Sequence, residues 1–275
     1  MEQVLDRDDQ PSAESIVLNK AQYTRKAELC QRSVSKDLPL SPNNGRYLTQ
    51  NAQIRQIERI AIVCYIHPVT SLLVATNNPG KKREYEQLLA PLRVKLCTPQ
   101  DLELSITVRE DGGTYAENAR IKAFHYLQAS GLLTIADDSG LEVDALCGEP
   151  GPHSARYAGS GAGDADRYRL LLQKLDGVPW GQRAARFRCV LVLAVPGGET
   201  HSTEGTCEGI IAFEPQGSYG FGYDPIFYLP HYEKTMAQLP PEVKNRISHR
   251  ARAVQKMLPI LAHILADQNL ASRGG

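Results

Sequence analysis

With 275 residues and 42% hydrophobic content, the chain can bury a full core in one large domain or two small ones. Its 31 basic and 31 acidic residues cancel, which excludes the basic stripe of a nucleic-acid-binding surface and makes any phosphate contact a local matter. The six cysteines, Cys30, Cys64, Cys97, Cys147, Cys189 and Cys207, form no CxxC pair and read as reduced thiols, not as a disulfide frame or a zinc site. The longest apolar run near the N-terminus, Ile60 to Ile66, is too short to span a bilayer and ends at His67-Pro68. Met1 to Asp9 has neither the basic start of a secretory signal nor the acid-poor character of a transit peptide. A cytoplasmic protein with no membrane segment and no nucleic-acid partner is expected.

Residues 1–70 are polar and irregular, an extension in which only Gln53 to Ile66 has apolar spacing suited to a short helix or strand. Order is expected from Ser71, in a domain spanning 71–268 with a short tail, 269–275. Ser71 to Ala75 is a buried-strand pattern, and Thr76-Asn77-Asn78-Pro79-Gly80-Lys81 leads into a helix over Lys82 to Leu89 that ends near Pro91. A strand, a small polar loop and a helix opening on lysine make a phosphate cradle, with backbone N–H groups facing the anion and Lys81 neutralising it. The same residues also suit a plain strand-to-helix turn. Arg93 to Cys97 reads as a second strand, and Thr98 to Glu110 as a connection carrying several acids.

Thr114 with Glu117 is a capping-box signature opening a helix that runs to Ala129 and stops at Gly131. Asn118 and Lys122 share one face of that helix, turned either to a bound anion or to solvent. Leu132 to Ala136 then reads as a short buried strand delivering Asp137 and Asp138 at its carboxyl end, the ligand-binding edge of an open α/β sheet. Adjacent carboxylates repel unless a cation joins them, which favours a metal site; Asp, Ser and Gly are also ordinary turn residues.

Gly148 to Gly159 is too rich in Gly and Pro for regular structure and is expected as a fixed loop beside the site. A helix follows over Asp164 to Leu175. Arg186 to Val195 and Glu199 to Phe213 alternate around Pro196-Gly197-Gly198, predicting an antiparallel hairpin as floor or lid of a second lobe. Gly220 to Phe227 packs aromatics between glycines, suited to stacking a flat ring or to an aromatic tight turn. A last helix is predicted from Pro240 through Leu265, with Lys244, His249 and Arg250 near its start, as ligands or as a solvated face.

Taken together, these segments resemble the noncanonical purine NTP pyrophosphatase family, the inosine and xanthosine triphosphate pyrophosphatases. The matching residues are Thr76 to Lys81, Glu110 with Thr114 to Ala119, Ala136 to Gly140, Pro150 to Gly159, Phe221 to Phe227, and Ser248-His249-Arg250, six segments in the family's order. The resemblance implies an α/β fold with two lobes, a long mixed β-sheet flanked by helices, and a central nucleotide-binding cleft, in a homodimer. It implies hydrolysis of ITP, dITP or XTP to the monophosphate and pyrophosphate. Thr76, Asn77, Asn78, Pro79, Gly80 and Lys81 would hold phosphates, and Glu110 and Asp138 would bind Mg2+, one ion or more per subunit. Asp138 would be the proton acceptor, with Asp137 supporting it, and Ser139 would touch substrate. Phe221, Gly222, Tyr223 and Asp224 would frame the base, with Lys244, His249 and Arg250 reading its oxygen-bearing edge.

Two other functions compete: a Maf-like pyrophosphatase acting on modified pyrimidine or methylated nucleotides, and a nucleotide sensor without chemistry. Against the sensor, Lys81, Glu110 and Asp138 are all present. The N-terminal extension lies outside the resemblance. So does Arg167-Tyr168-Arg169, in a stretch where members of the family often carry asparagine; this difference touches no residue assigned above.

Overall fold

A computed structural model describes residues 71–92 and 94–271, with side chains as far as residue 267. The extension, its expected element at Gln53 to Ile66, and Cys30 and Cys64 lie outside the described residues. Eight strands form one mixed sheet: β1 (Ser71–Val74), β2 (Lys95–Cys97), β3 (Leu133–Val143), β4 (Pro150–Gly151), β5 (Ala184–Ala194), β6 (Thr200–Ile211), β7 (Phe227–Leu229) and β8 (Lys234–Thr235). Their order is β2-β1-β3-β5-β6-β7-β8, with β4 paired to β3 off this path. Only the β1 pairings with β2 and β3 are parallel. Five helices pack around the sheet: α1 (Pro79–Leu88), α2 (Tyr115–Ser130), α3 (Asp164–Lys174), α4 (Pro241–Ile247) and α5 (His249–Ala271).

The lobes are two ends of this sheet. At one end, Leu133 and Ile135 of β3 face α1 and α5 while Ala136 faces α2 across the sheet, so β1, β3 and β5 are covered on both sides. At the other end, Leu141 and Val143 pack with Phe187, Ile211, Phe227 and the α3 leucines. Each fully buried leucine here contributes about 1.5–3 kcal/mol. Because β3 and β5 run eleven residues each, they pass through both cores and form a common floor. The predicted hairpin is β5 and β6, lying in the sheet and not over the site as a lid.

Four boundaries differ from expectation, each for a physical reason. The strand expected to end at Ala136 runs on to Val143, because every residue from Thr134 to Val143 finds a register partner on β5. The acids therefore sit in mid-strand, and successive side chains point to opposite faces. Gly140 reads as a breaker but is a close-approach residue: a Cβ there would overlap the Gly151 carbonyl and come within 2.6 Å of the Tyr115 hydroxyl.

Helix α1 begins three residues early, since Asn78 caps it and Pro79 occupies the first turn without needing an N–H partner. The single helix expected over Pro240 to Leu265 is two helices. Ser248 adopts an extended conformation (φ −66, ψ 158) and its hydroxyl accepts from the Ala251 N–H, so it ends α4 and caps α5. Helix α5 then continues past Leu265 to Ala271, as no Gly or Pro stops it. The capping box at Thr114 and Glu117 is present as predicted, and α2 ends at Gly131.

Gly140→Ala is expected to cost about 1–3 kcal/mol by forcing apart β3 and the Gly151 turn, a loss of several degrees in Tm for a domain of this size. Differential scanning calorimetry checks it; an unchanged Tm would mean the turn yields freely.

Candidate active site

A cleft with a volume of about 600 Å³ lies between the two ends of the sheet, and most of the residues singled out from sequence line it. Thr76, Asn77, Asn78 and Lys81 form its wall at the β1 to α1 junction, whereas Pro79 and Gly80 do not line it. Gly80 instead lies directly beneath the Phe221 ring, where a Cβ would have no room. The expected cradle of backbone N–H groups is not free. Asn78 Oδ1 accepts from Gly80 N at 2.8 Å and Lys81 N at 3.1 Å, and Thr76 Oγ1 accepts from Asn78 N at 3.2 Å. The loop caps itself, leaving side chains to meet an anion.

The two central acids serve different faces. Asp137 is buried and takes Lys81 Nζ at 2.9 Å, Arg250 Nη2 at 3.1 Å and the Ser139 hydroxyl at 2.5 Å. Burial alone would raise its carboxyl, but Lys81, Arg250 and Lys122 hold it well below the usual carboxylate range. Asp138, on the opposite face, accepts from Asn118 Nδ2 and from its neighbour's Ser139 N–H, both at 3.0 Å. Burial pushes its carboxyl upward, partly offset by the Asn118 amide, Lys122 and Lys81.

Asn118 and Lys122 thus do share a face of α2 and turn it inward. Lys122 Nζ bonds Glu110 Oε1 at 2.9 Å and the Asp137 carbonyl at 3.1 Å, which brings Glu110 to the same wall as Asp138. The Glu110 charge in turn raises the Asp138 carboxyl. Among the described residues no group of three or more acidic, His or Cys side chains forms a metal cage. Two carboxylates with open positions nevertheless suit a hard cation that keeps waters and takes phosphate oxygens as its remaining ligands.

At the other end, Asp224 is buried and accepts the Phe221 N–H at 2.8 Å and the Lys244 ammonium. Lys244 also meets Glu84 at 2.9 Å, and Glu84 in turn binds Arg250. A chain of alternating charge results, buried up to the half-buried Lys81 at its end: Asp224, Lys244, Glu84, Arg250, Asp137, Lys81. Three acids balance three bases. Lys244 lies 4.6 Å and Arg250 5.8 Å from the centre of the Phe221 ring. Tyr223 also lines the cleft, its hydroxyl anchored on the Ser154 carbonyl at 3.0 Å. His249 is stacked on Phe187 at 4.8 Å, and its Nδ1 has no partner. Burial, reinforced by Arg250 and Lys244, keeps this imidazole neutral, far below its ordinary pKa.

Arg250, expected to read a base edge, is occupied by Glu84 and Asp137 and supports the site from beneath. Glu84 itself was not singled out from sequence; its only signal is a carboxylate on the helix face that also carries buried Tyr85. Arg156 and Arg167 line the cleft as well. Cys97, Cys147, Cys189 and Cys207 are free, and burial pushes the Cys189 thiol up to about 12, so it is unreactive.

The sequence profile of the Ham1 family matches residues 72–260, which contain every one of these side chains. The chain belongs to the Ham1 family. Among its relatives, a dITP/XTP pyrophosphatase of Desulforamulus reducens is 47% identical over 199 residues, 72% of this chain and 99% of the relative. One from Geobacillus kaustophilus is 52% identical over 186 residues, 68% of this chain and 91% of the relative. A Ham1 protein structure from Coxiella burnetii superposes with a TM-score of 0.63 at 39% identity, covering 72% of this chain and 99% of that one. The Staphylococcus aureus Ham1 protein gives 0.62 at 40% identity, covering 72% of this chain and all of the other. The mixed sheet flanked by helices is thus the Ham1 fold.

Glu84→Ala would leave Lys244 and Arg250 short of a buried counter-charge and is expected to cost about 3–5 kcal/mol, measured by urea unfolding; a loss under 1 kcal/mol would show that the chain of charges relaxes on its own. Because His249 refuses a proton that the unfolded chain accepts, stability should fall as pH drops below about 6.5. Melting curves for the parent and His249→Gln between pH 7 and 5.5 test this, since the variant lacks that component of the loss.

Proposed function

We propose that this chain hydrolyses noncanonical purine nucleoside triphosphates, ITP, dITP and XTP, between the α and β phosphates, releasing monophosphate and pyrophosphate and so removing deaminated purines from the nucleotide pool. The observation that carries this is a single cleft with a carboxylate pair and lysines at one end and an aromatic ring with buried polar groups at the other. The names of the Ham1 relatives support the same substrate class.

Glu110 and Asp138 would hold a divalent cation, which we take to be Mg2+. When bound, it offsets phosphate charge and the charge developing on the pyrophosphate leaving group. Asp138 accepts the proton of the attacking water; its burial makes it a better base than an exposed carboxylate, and Asn118 and the Ser139 N–H fix its plane. Lys81 and Lys122 face the phosphates with Thr76, Asn77 and Asn78.

Six lysines and arginines line the cleft, and among the described residues Arg156 alone has no carboxylate partner. It bonds only the Glu110 carbonyl and the His153 ring. It is the cation with charge to spare for the phosphate tail. At the base end, Phe221 supplies the stacking surface, and the neutral His249, which lines the cleft, donates its ring N–H to a 6-oxo group. Adenine presents an N–H there and would leave donors unpaired. The homodimer rests on the family resemblance and the cytoplasmic setting on the cysteine pattern and the character of Met1 to Asp9; among the described residues no helix is long and apolar enough to cross a membrane.

Phosphate release with added inorganic pyrophosphatase, on ITP, XTP, dITP, GTP, ATP and UTP with and without Mg2+, is the test. Activity should require the metal and favour the 6-oxo purines without a 2-amino group. Asp138→Asn should lower kcat by roughly 10²–10⁴ while nucleotide still binds. Preference for UTP or a methylated nucleotide would favour the Maf-like chemistry, and an undiminished Asp138→Asn would remove Asp138 as base.

A further inference from the structure

Arg167 stands in the first turn of α3, the positive end of the helix dipole, where a cation is disfavoured. It lines the nucleotide cleft together with Asp164 and Gly222. Its Nη1 meets Asp164 Oδ1 at 2.6 Å and its Nη2 the Ala162 carbonyl at 2.6 Å, while its Nε–H, shut off from water, meets no acceptor. A guanidinium has five N–H bonds to satisfy, so this one has donors in excess of its protein acceptors. Asp164 is held on its other side as well, with Oδ2 taking the Gly222 N–H at 2.7 Å. Two of its oxygen lone-pair sites remain open. The pair therefore stands beside the loop that carries Phe221, on the lobe opposite Lys81 and Asp138, with both an acceptor and a donor still unused.

We infer that Asp164 and Arg167 together grip a sugar hydroxyl of the bound nucleotide, an inference that rests on the proposed nucleotide hydrolysis. Phosphate oxygens only accept and are repelled by the Asp164 carboxylate. The purine oxygen faces His249 on the other helix. A hydroxyl both donates and accepts, so it satisfies carboxylate and guanidinium at once. Between a phosphate tail at Lys81 and a ring at Phe221, the sugar is the part of the substrate left to meet this wall. Arg167 is thus a substrate-binding residue, and Asp164 both binds substrate and holds the aromatic loop.

Steady-state kinetics of the full-length protein on ITP, 2′-deoxy-ITP and 3′-deoxy-ITP decide it, for the parent, Arg167→Met and Arg167→Lys. Arg167→Met keeps the apolar stem and should raise KM for ITP by roughly ten- to a hundredfold, the loss of a charged hydrogen bond, with kcat changed little. For the analogue lacking the gripped hydroxyl, parent and variant should have the same KM. Arg167→Lys should fall between them on ITP, and it decides by the same comparison if the methionine variant does not fold. An equal rise on all three substrates would reduce Arg167 to a brace for the Phe221 loop, and no rise on any would remove it from the site; either overturns the inference while leaving the proposed activity standing. A parent that releases no pyrophosphate from any of the three would overturn both.

Discussion

A line of six charges, five of them buried, running from Asp224 through Lys244, Glu84, Arg250 and Asp137 to the half-buried Lys81, constrains everything else in this molecule. They come from the loop before β7, from α4, α1, α5 and β3. Each group but Lys81 has lost its water and depends on its neighbours in the line for compensation. Apolar side chains of similar volume could fill the space at no loss of stability. What charge adds is direction, because each ion fixes the position of the next. Asp224, which holds the backbone of the Phe221 loop, and the ammonium of Lys81 stand at opposite ends of the line and are thereby fixed relative to one another.

The sheet provides the other half of this arrangement. Functional side chains placed on regular elements are held more rigidly than those on loops, and here Asp137, Asp138 and Ser139 sit in the middle of a strand, paired along one edge to β5 and lying on the other edge between the residues that pair with β1 and those that pair with β4. Their rotamers are fixed by Lys81, Arg250 and Asn118 in turn. The loop at Thr76 to Lys81 is made equally stiff by the Asn78 cap, which uses the N–H groups an anion would otherwise find. The side chains at this junction, Lys81 among them, are thus what it offers to the cleft.

Much of this was legible in the sequence, and the exceptions share a cause. Whereas the candidate site residues are picked out by the resemblance to a family, the capping box at Thr114 and the β5 to β6 hairpin follow from local rules of spacing and turn chemistry. The continuation of β3 through Asp-Asp-Ser-Gly does not, because those residues are poor strand formers taken alone; their polar atoms find partners only from α1, α2 and α5. Ser248 carries a local signal for a helix start, but it stands inside a helical pattern that hides it. Glu84 is read as a solvated helix residue until Lys244 and Arg250 are brought against it from far along the chain. The position of Glu110 lies beyond such rules too, since it comes from an irregular connection and is brought to the wall that carries Asp138 by Lys122, which bonds both Glu110 and the Asp137 carbonyl.

Neighbouring acids in an extended strand look interchangeable, yet here they are not. Asp137 belongs to the side that faces α1 and α5, Asp138 to the side that faces α2, and no rotation of either side chain carries it through the sheet. A slip of β3 by one residue against β5 would trade the two, presenting water to the carboxylate meant for ion pairing and burying Asp138 among cations. An evolving or engineered version of this protein could therefore tolerate length changes in its turns far more readily than a single insertion between Thr134 and Asp137, where one added residue would exchange the two carboxylates while leaving the composition of the pair intact.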